Sequence, residues 1–185
     1  GGMLVGARRV ADAPYSQTLG LYGTHGAGVG QAGFYRLGAE VSRDHLRDGR
    51  PDQERVFLTG SYAHAIGTNA QISFGGFLER NLSNTKSLDG LRAGLNLTGL
   101  YAFKGGLITG LTLRGEVDDR NGVNAAFGVV RSDRKLAVEL AVYHRDFRIG
   151  VFAPQVKLGV ERNRSNIALA DYTNRYLSFG FTRNF

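Results

Sequence analysis

The sequence feature that most constrains the fold is an alternation of apolar and polar side chains with a period of two residues. The last stretch of the chain, residues 171–185, shows what this alternation implies. One side of an extended chain there carries Leu177, Phe179, Phe181 and Phe185, and the other carries Tyr176, Ser178, Gly180, Thr182 and Asn184. At the edge of a soluble sheet such an apolar strand would promote aggregation. The pattern favours a strand that closes a barrel in a bilayer, where the apolar face meets lipid and the backbone pairs on both sides.

Length and composition predict one folded domain over residues 1–185, because 42% of the side chains are hydrophobic. No apolar run approaches the 18 or so residues of a membrane-spanning helix, so a membrane-spanning chain of this sequence must cross with strands. The 27 glycines suit curved or crowded strands. The 23 basic residues are scattered among 16 acidic ones without a basic block, so no nucleic-acid partner is expected.

Eleven segments with this alternation can be read along the chain. They are residues 3–9, 15–24, 35–42, 55–65, 70–80, 91–101, 107–117, 123–130, 136–145, 156–161 and the terminal strand. Asp118 to Gly122 is predicted to be a turn, because Asn-Gly is a strong hairpin signal. Bacterial single-chain barrels have an even number of strands. The predicted fold is therefore an all-β, antiparallel, up-and-down transmembrane β-barrel of about 12 strands, with 10 to 14 possible.

Loop lengths conflict with this assignment. The long loops at Asp44 to Glu54 and Asn81 to Ser87 fall on the opposite side of the sheet from Asn163 to Asp171. Long loops of such barrels lie on one side. The conflict indicates that one strand is misassigned.

The face opposite the apolar one carries charges of both signs in the middle of strands. These predicted lumen-facing residues are Arg36, Glu40, Arg92, Arg114, Glu116, Glu139, Lys157 and Glu161. Charges that pair across a narrow interior would plug it, whereas separate acidic and basic walls around water would form a pore. The alternative is the solvated outer face of an ordinary soluble sheet, with the apolar residues inside.

No catalytic residue, metal ligand or cofactor is predicted, and the protein is not expected to be an enzyme. The four histidines, at positions 25, 45, 64 and 144, lie in loops and on different strands without metal-ligand spacing. Some outer-membrane barrels are hydrolases that use carboxylates or histidines. The candidates for such chemistry here are Asp44-His45, Asp118-Asp119, and His144 with Asp146, which would have to come together from distant strands.

The end of the chain resembles the terminal strand that the barrel-assembly machinery reads in outer-membrane proteins. The features of that barrel-assembly signal are Leu177, Phe179, Gly180, Phe181 and Phe185. The third position from the end, which often holds an aromatic residue, is Arg183. The resemblance implies contact with that machinery and with outer-membrane lipid, and integral localisation in the cell outer membrane.

Residues 150–185 more specifically resemble the end of the carboxy-terminal barrel of the surface lipoprotein assembly modifier (Slam) family. The features that carry this resemblance are Gly150, Pro154, Arg162, Ser165-Asn166, Tyr172, Arg175 and Thr182-Arg183 before Phe185. Members of that family resemble one another in having an amino-terminal helical repeat domain and a barrel of usually fourteen strands. Neither is expected within these residues, so a barrel taken from a longer protein, a shortened relative and a different outer-membrane protein stay open.

What the resemblance implies is assistance in moving a client lipoprotein, or another exported partner, to the cell surface. The second hypothesis is a narrow porin-like channel for small solutes, which the charged alternate face favours. A third is a soluble all-β binding module, in which the apolar face would be turned inward.

Overall fold

The computed structural model describes residues 2–10, 13–46, 52–148 and 150–183, which form ten β-strands. The strands are β1 (Gly2–Val10), β2 (Ala13–Val29), β3 (Gly33–Leu46), β4 (Gln53–Ile66), β5 (Ala70–Ser83), β6 (Gly90–Ala102), β7 (Leu107–Asn124), β8 (Val129–His144), β9 (Phe152–Ser165) and β10 (Tyr172–Arg183). A single turn of 3₁₀ helix, Ala168–Ala170, precedes β10. In the part of the chain that is described, no helix is long and apolar enough to cross a membrane.

All ten strands belong to one antiparallel sheet, and their order in the sheet is their order in the chain. The predicted all-β, antiparallel, up-and-down architecture is therefore confirmed. The described residues give ten strands, at the lower end of the predicted range and not the expected twelve. Among these residues β1 and β10 do not pair with each other, so the sheet is open. Closure into a barrel stays a prediction.

The segment 123–130 is not a separate strand, and Asp118 to Gly122 is not a turn. Residues 118–124 continue β7, the turn lies at residues 125–128, and β8 begins at Val129. The register between β7 and β8 shifts between Asp119 and Val123, which marks a bulge. Within the bulge the Asn121 N–H donates to the Asp89 carbonyl oxygen over 2.9 Å. The Asn-Gly pair therefore contacts the loop after β5 and does not form a hairpin turn.

Removing this one strand also resolves the conflict over loop lengths. The connections 47–52, 84–89 and 166–171 follow β3, β5 and β9, which run in the same direction. β3, β5 and β9 therefore end on the same side of the sheet, here called the loop end. Residues 47–51 lie outside the described residues. The opposite end, here called the turn end, has short connections such as 30–32 and 67–69.

One face of the sheet is apolar and exposed from β2 to β10. Directly paired residues share a face, so rows such as Leu140, Leu158 and Leu177 run unbroken from strand to strand. Leu95 is 75% exposed and Phe179 is 76% exposed. The only apolar residues found buried in the described part are Ala137, Ala153 and Ile167. The sheet consequently has no conventional hydrophobic core.

Aromatic side chains mark the turn end of this apolar face. Tyr35 pairs directly with Tyr62, whose ring centroid lies 5.5 Å from that of Phe74. Tyr101 and Phe103 meet edge to face at 4.7 Å. Such tilted and edge-to-face contacts are the favourable geometries for aromatic pairs.

Candidate functional site

The eight charged residues singled out in the sequence all lie on the face opposite the apolar one, here called the charged face. A single row of residues that pair from strand to strand crosses the sheet. It contains two of the arginines, Arg36 and Arg114, and one acidic residue, Glu161. The row consists of Arg36, Ser61, Gly75, Asn96, Arg114, Ala137 and Glu161. The other five residues stand an even number of positions from a member of this row on their own strands, so they share its face. The expected grouping on one face is observed, and whether this face lines a lumen stays a prediction.

An ion-pair network centred on Arg92 and Glu116 links β5 to β8. The guanidinium of Arg92 donates through Nε to Glu116 Oε1 over 2.7 Å and through Nη2 to Oε2 over 3.0 Å. Glu79 on β5 lies 3.8 Å from Arg92, and Lys135 on β8 lies 3.9 Å from Glu116. A bidentate arginine–carboxylate pair fixes geometry as well as charge. These four strands are thus cross-linked on the charged face.

A second set of contacts joins β8, β9 and β10. Lys157 lies 3.3 Å from Glu139, and the Tyr176 hydroxyl donates to Glu139 Oε2 over 2.7 Å. Tyr176 reaches Glu139 across β9 because the residue between them is Gly159. Tyr172 likewise donates to Glu161 over 2.6 Å. Two of the predicted glutamates are therefore held by tyrosines of the last strand.

The remaining predicted residues differ in whether they have an ionic partner. Glu40 pairs with Arg55 and accepts a hydrogen bond from Ser42 over 3.2 Å. Neither Arg36 nor Arg114 makes a salt bridge within the described residues. Arg36 lies over the Phe34 ring at 5.9 Å from its centroid. The charged face thus combines tightly paired groups with two arginines that make no salt bridge within the described residues.

A polar cavity of about 190 Å³ opens on the charged face. Its lining includes Asp118, which the sequence analysis placed in a turn, and four residues that sequence reasoning missed, namely Arg131, Asp133, Lys135 and Asn163. Asp133 is 7% exposed and forms a salt bridge with Arg131, whose Nη2 lies 2.6 Å from Asp133 Oδ2. Asp118 and Asp133 lie on either side of the predicted segment 123–130, which is not a separate strand. The alternation of β7, continued through Asp118, is the signal that would have placed them on this face.

The three pairs considered for hydrolysis do not form one site. Asp44 and His45 are consecutive on β3, so they point to opposite faces. His45 Nδ1 lies 2.7 Å from Asp52 Oδ1, and Arg43 Nη2 lies 2.8 Å from Asp52 Oδ2. The hydrogen bond from Arg43, followed by that from His45, lowers the pKa of the exposed Asp52 carboxyl. These contacts anchor the start of β4 to β3.

The other two pairs lie on β7 and at the end of β8, respectively. Asp118 is bonded by Arg120 at 2.8 Å, whereas Asp119 faces the other way and is bonded by Arg134 at 2.9 Å. The Asp146 N–H donates to His144 Nδ1 over 3.2 Å beyond the end of β8. In the described ranges no three histidine, aspartate or glutamate side chains cluster closely enough to hold a metal ion.

The described part of the terminal signal has the expected alternation. Leu177, Phe179 and Phe181 are exposed on the apolar face of β10, and Gly180 lies on the charged face. Phe185 lies outside the described residues. The pattern from which the membrane prediction started is therefore present in the strand itself.

The fold defines a class: an all-β protein built as one meandering sheet with an exposed apolar face and an ion-paired charged face. The family model described as surface lipoprotein assembly modifier matches residues 10–185. The chain belongs to this family, which confirms the resemblance read from residues 150–185 and extends it over nearly all of the sequence. Neither the curated proteins nor the solved structures compared with the chain include a match.

Proposed function

We propose that this chain forms an outer-membrane β-barrel that assists lipoproteins in reaching the cell surface. The observation that carries the proposal is the family match over residues 10–185, because it links a sheet of this kind to surface lipoprotein assembly. The proposed role is translocation or display of a client and involves no bond-making chemistry. The proposed partners are the client lipoprotein, the barrel-assembly machinery and outer-membrane lipid.

The exposed apolar face supports placement in a bilayer. Leu107, Leu111, Leu113 and Val117 share one face of β7. Ten residue steps correspond to about 33 Å along a strand, or about 25 Å of height at a typical barrel tilt, which is the height of the apolar band in outer-membrane barrels. The aromatic residues at the turn end match the girdle at a membrane interface. A water-soluble sheet would not leave so large an apolar surface uncovered.

Closure of the sheet follows from the same placement. In lipid, an open strand edge would leave backbone N–H and C=O groups without partners, at a cost of several kcal/mol each. The edges at β1 and β10 are therefore proposed to be paired, either with each other or with further strands. The charged face would then line a narrow interior that a folded client could not pass.

A first experiment tests the client role in the Gram-negative host that carries the natural gene. Deleting the gene is expected to reduce the lipoproteins labelled on intact cells, while their total amount in lysates stays constant. The plasmid-borne gene should restore labelling. An unchanged surface lipoprotein population in the deletion strain would contradict the proposal.

A second experiment tests the barrel and its assembly signal. The chain extracted from membranes in detergent should run faster on a gel when unboiled, as closed barrels do. Replacing Leu177 and Phe181 by serine should lower the amount of this faster band, because both lie on the apolar face of β10. Replacing Ser178 and Thr182 by alanine, on the other face of that strand, is the matched control.

A narrow channel for small solutes is a second candidate, favoured by Arg36 and Arg114 on one row of the charged face, neither of which makes a salt bridge within the described residues. If that row lines an aqueous path, Arg114→Glu should shift the selectivity of planar-bilayer currents toward cations. Absence of any conductance by the wild-type protein would eliminate this candidate.

A further inference from the structure

Four arginines lie on the apolar face at the loop end of β8, β9 and β10. Arg134 pairs directly with Arg164, Arg162 pairs with Leu136, and Arg175 pairs with Val160. Each therefore shares a face with exposed aliphatic side chains instead of with the charged face. We call Arg134, Arg162, Arg164 and Arg175 the arginine patch.

The patch has more positive than negative charge. Asp119 lies 2.9 Å from Arg134, and Asp171 lies 2.5 Å from Arg162. Arg164 and Arg175 are exposed and make no salt bridge within the described residues. Like charges directly opposite on neighbouring strands destabilise a sheet. An anion bound at the patch would reduce the repulsion between Arg134 and Arg164.

A shallow, open groove of about 470 Å³ lies on the same strands and includes Arg175 of the patch in its lining. Most of its lining is aliphatic, namely Val138, Leu140, Leu158 and Val160, and Gly159 and Tyr176 complete it. The groove and the arginine patch together form a surface whose character changes along the strands. It is aliphatic toward the middle of the strands and carries guanidinium groups toward the loop end. A molecule complementary to it has a hydrocarbon chain joined to an anionic group.

From this geometry we infer that the arginine patch and the groove bind a membrane lipid with a phosphate headgroup. The inference rests on the proposed insertion of the sheet in a bilayer, which brings lipid to this face. Guanidinium groups bind phosphate oxygens through paired, charge-assisted hydrogen bonds. The aliphatic walls of the groove would contact an acyl chain of the same lipid. Arg164 and Arg175 are the recognising residues, because no acid of the described chain neutralises them.

The test is native mass spectrometry of the full chain in detergent, with phosphatidylglycerol and phosphatidylcholine as probes. The wild-type protein should retain phosphatidylglycerol in preference to phosphatidylcholine. The double variant R164Q/R175Q should bind phosphatidylglycerol about thirtyfold more weakly, since each arginine near an anionic headgroup is worth about fivefold. R164K/R175K keeps the charges and should retain most of the binding.

The matched control is K86Q/K104Q, which removes the same number of positive charges from exposed positions outside the strands. It should bind phosphatidylglycerol within about twofold of wild type, because neither lysine lies beside the apolar groove. The unboiled gel band of each variant verifies that the barrel has formed. Folded R164Q/R175Q that binds like the control would overturn the inference.

Other outcomes separate the inference from the proposed function. If the protein inserts in bilayers but retains both lipids equally, the lipid site is wrong and the barrel stands. If inorganic phosphate at equal concentration displaces phosphatidylglycerol completely, the site recognises a free anion and the acyl groove plays no part. If R164Q/R175Q loses lipoprotein binding with unchanged lipid preference, the patch is a protein-binding surface. A chain that stays monodisperse without detergent would overturn both proposals.

Discussion

At the scale of single residues, Tyr176 and Gly159 show how glycine shapes the charged face. The Tyr176 ring packs directly on Gly159, and a Cβ atom built at position 159 would lie 2.6 Å from Tyr176 Cε1. The absence of a side chain there is what lets the tyrosine cross β9 and donate to Glu139. Glycine in the middle of a strand is otherwise unfavourable. The close approach of the ring offsets that cost.

We expect Gly159→Ala to destabilise the protein by about 1–3 kcal/mol, because the added methyl group must displace the Tyr176 ring. Urea unfolding of protein refolded in lipid vesicles measures the change. Gly99→Ala is the control, since a Cβ at position 99 would have no atom within 4 Å. The control should be neutral or slightly stabilising. Equal effects of the two substitutions would show that the contact with Tyr176 does not require glycine.

At the scale of elements, the bulge in β7 is held by one buried carboxylate in the loop after β5. Asp89 is 5% exposed, and its Oδ1 lies 2.6 Å from Arg80 Nη2 and accepts from Asn121 Nδ2 over 2.7 Å. The Arg120 guanidinium donates to the Leu88 carbonyl oxygen over 3.2 Å. The loop 84–89 and the bulge are therefore one hydrogen-bonded unit that joins β5, β6 and β7.

Asp89→Ala should lower the free energy of unfolding by about 1–3 kcal/mol, since Arg80 and Asn121 lose a buried acceptor. It should also expose the loop 84–89 to protease, which limited digestion followed by mass spectrometry detects. Asp146→Ala removes a carboxylate whose side chain is 63% exposed beside Arg145. That control should cost at most about 1 kcal/mol. If the control proves as costly as Asp89→Ala, the loop–bulge unit has no special role.

The elements also show what the sequence could and could not predict. Alternation located all ten strands by their cores and put all eight charged residues on one face, because a strand has a strict period of two. The Asn121-Gly122 pair misled the assignment of β7 and β8, because its hydrogen bonds go to Asp89, far away in the sequence. The ionic partners Glu79 and Lys135 depend on strand register, which a single sequence does not specify.

At the scale of the whole molecule, the distribution of exposure is inverted relative to a soluble protein. Leu95, in the middle of β6, is 75% exposed, whereas the carboxylate-bearing side chain of Glu116 on the charged face is 10% exposed. Charged groups rarely lie buried in proteins unless they are paired, as Glu116 is with Arg92. The inversion fits a molecule whose outer surface meets hydrocarbon and whose charges meet one another.

Leu95→Arg distinguishes a lipid-facing surface from a solvated one. Near the middle of a bilayer the substitution should cost about 2–4 kcal/mol, whereas on a water-exposed face it should change stability by at most about 0.5 kcal/mol. Urea titration in lipid vesicles gives the value, with Leu95→Met as the apolar control. A Leu95→Arg protein as stable as the control would place this face in water.

The consecutive strand order has a consequence for how a sheet of this kind changes size. Among the described residues, every hydrogen-bonded pair of strands joins neighbours in the sequence, so a hairpin can be removed or duplicated while the pairing within the remaining strands is kept. In the proposed barrel each such event alters the circumference by two strands and preserves the alternation of faces. The bore of that barrel is therefore adjustable by heritable steps of one hairpin.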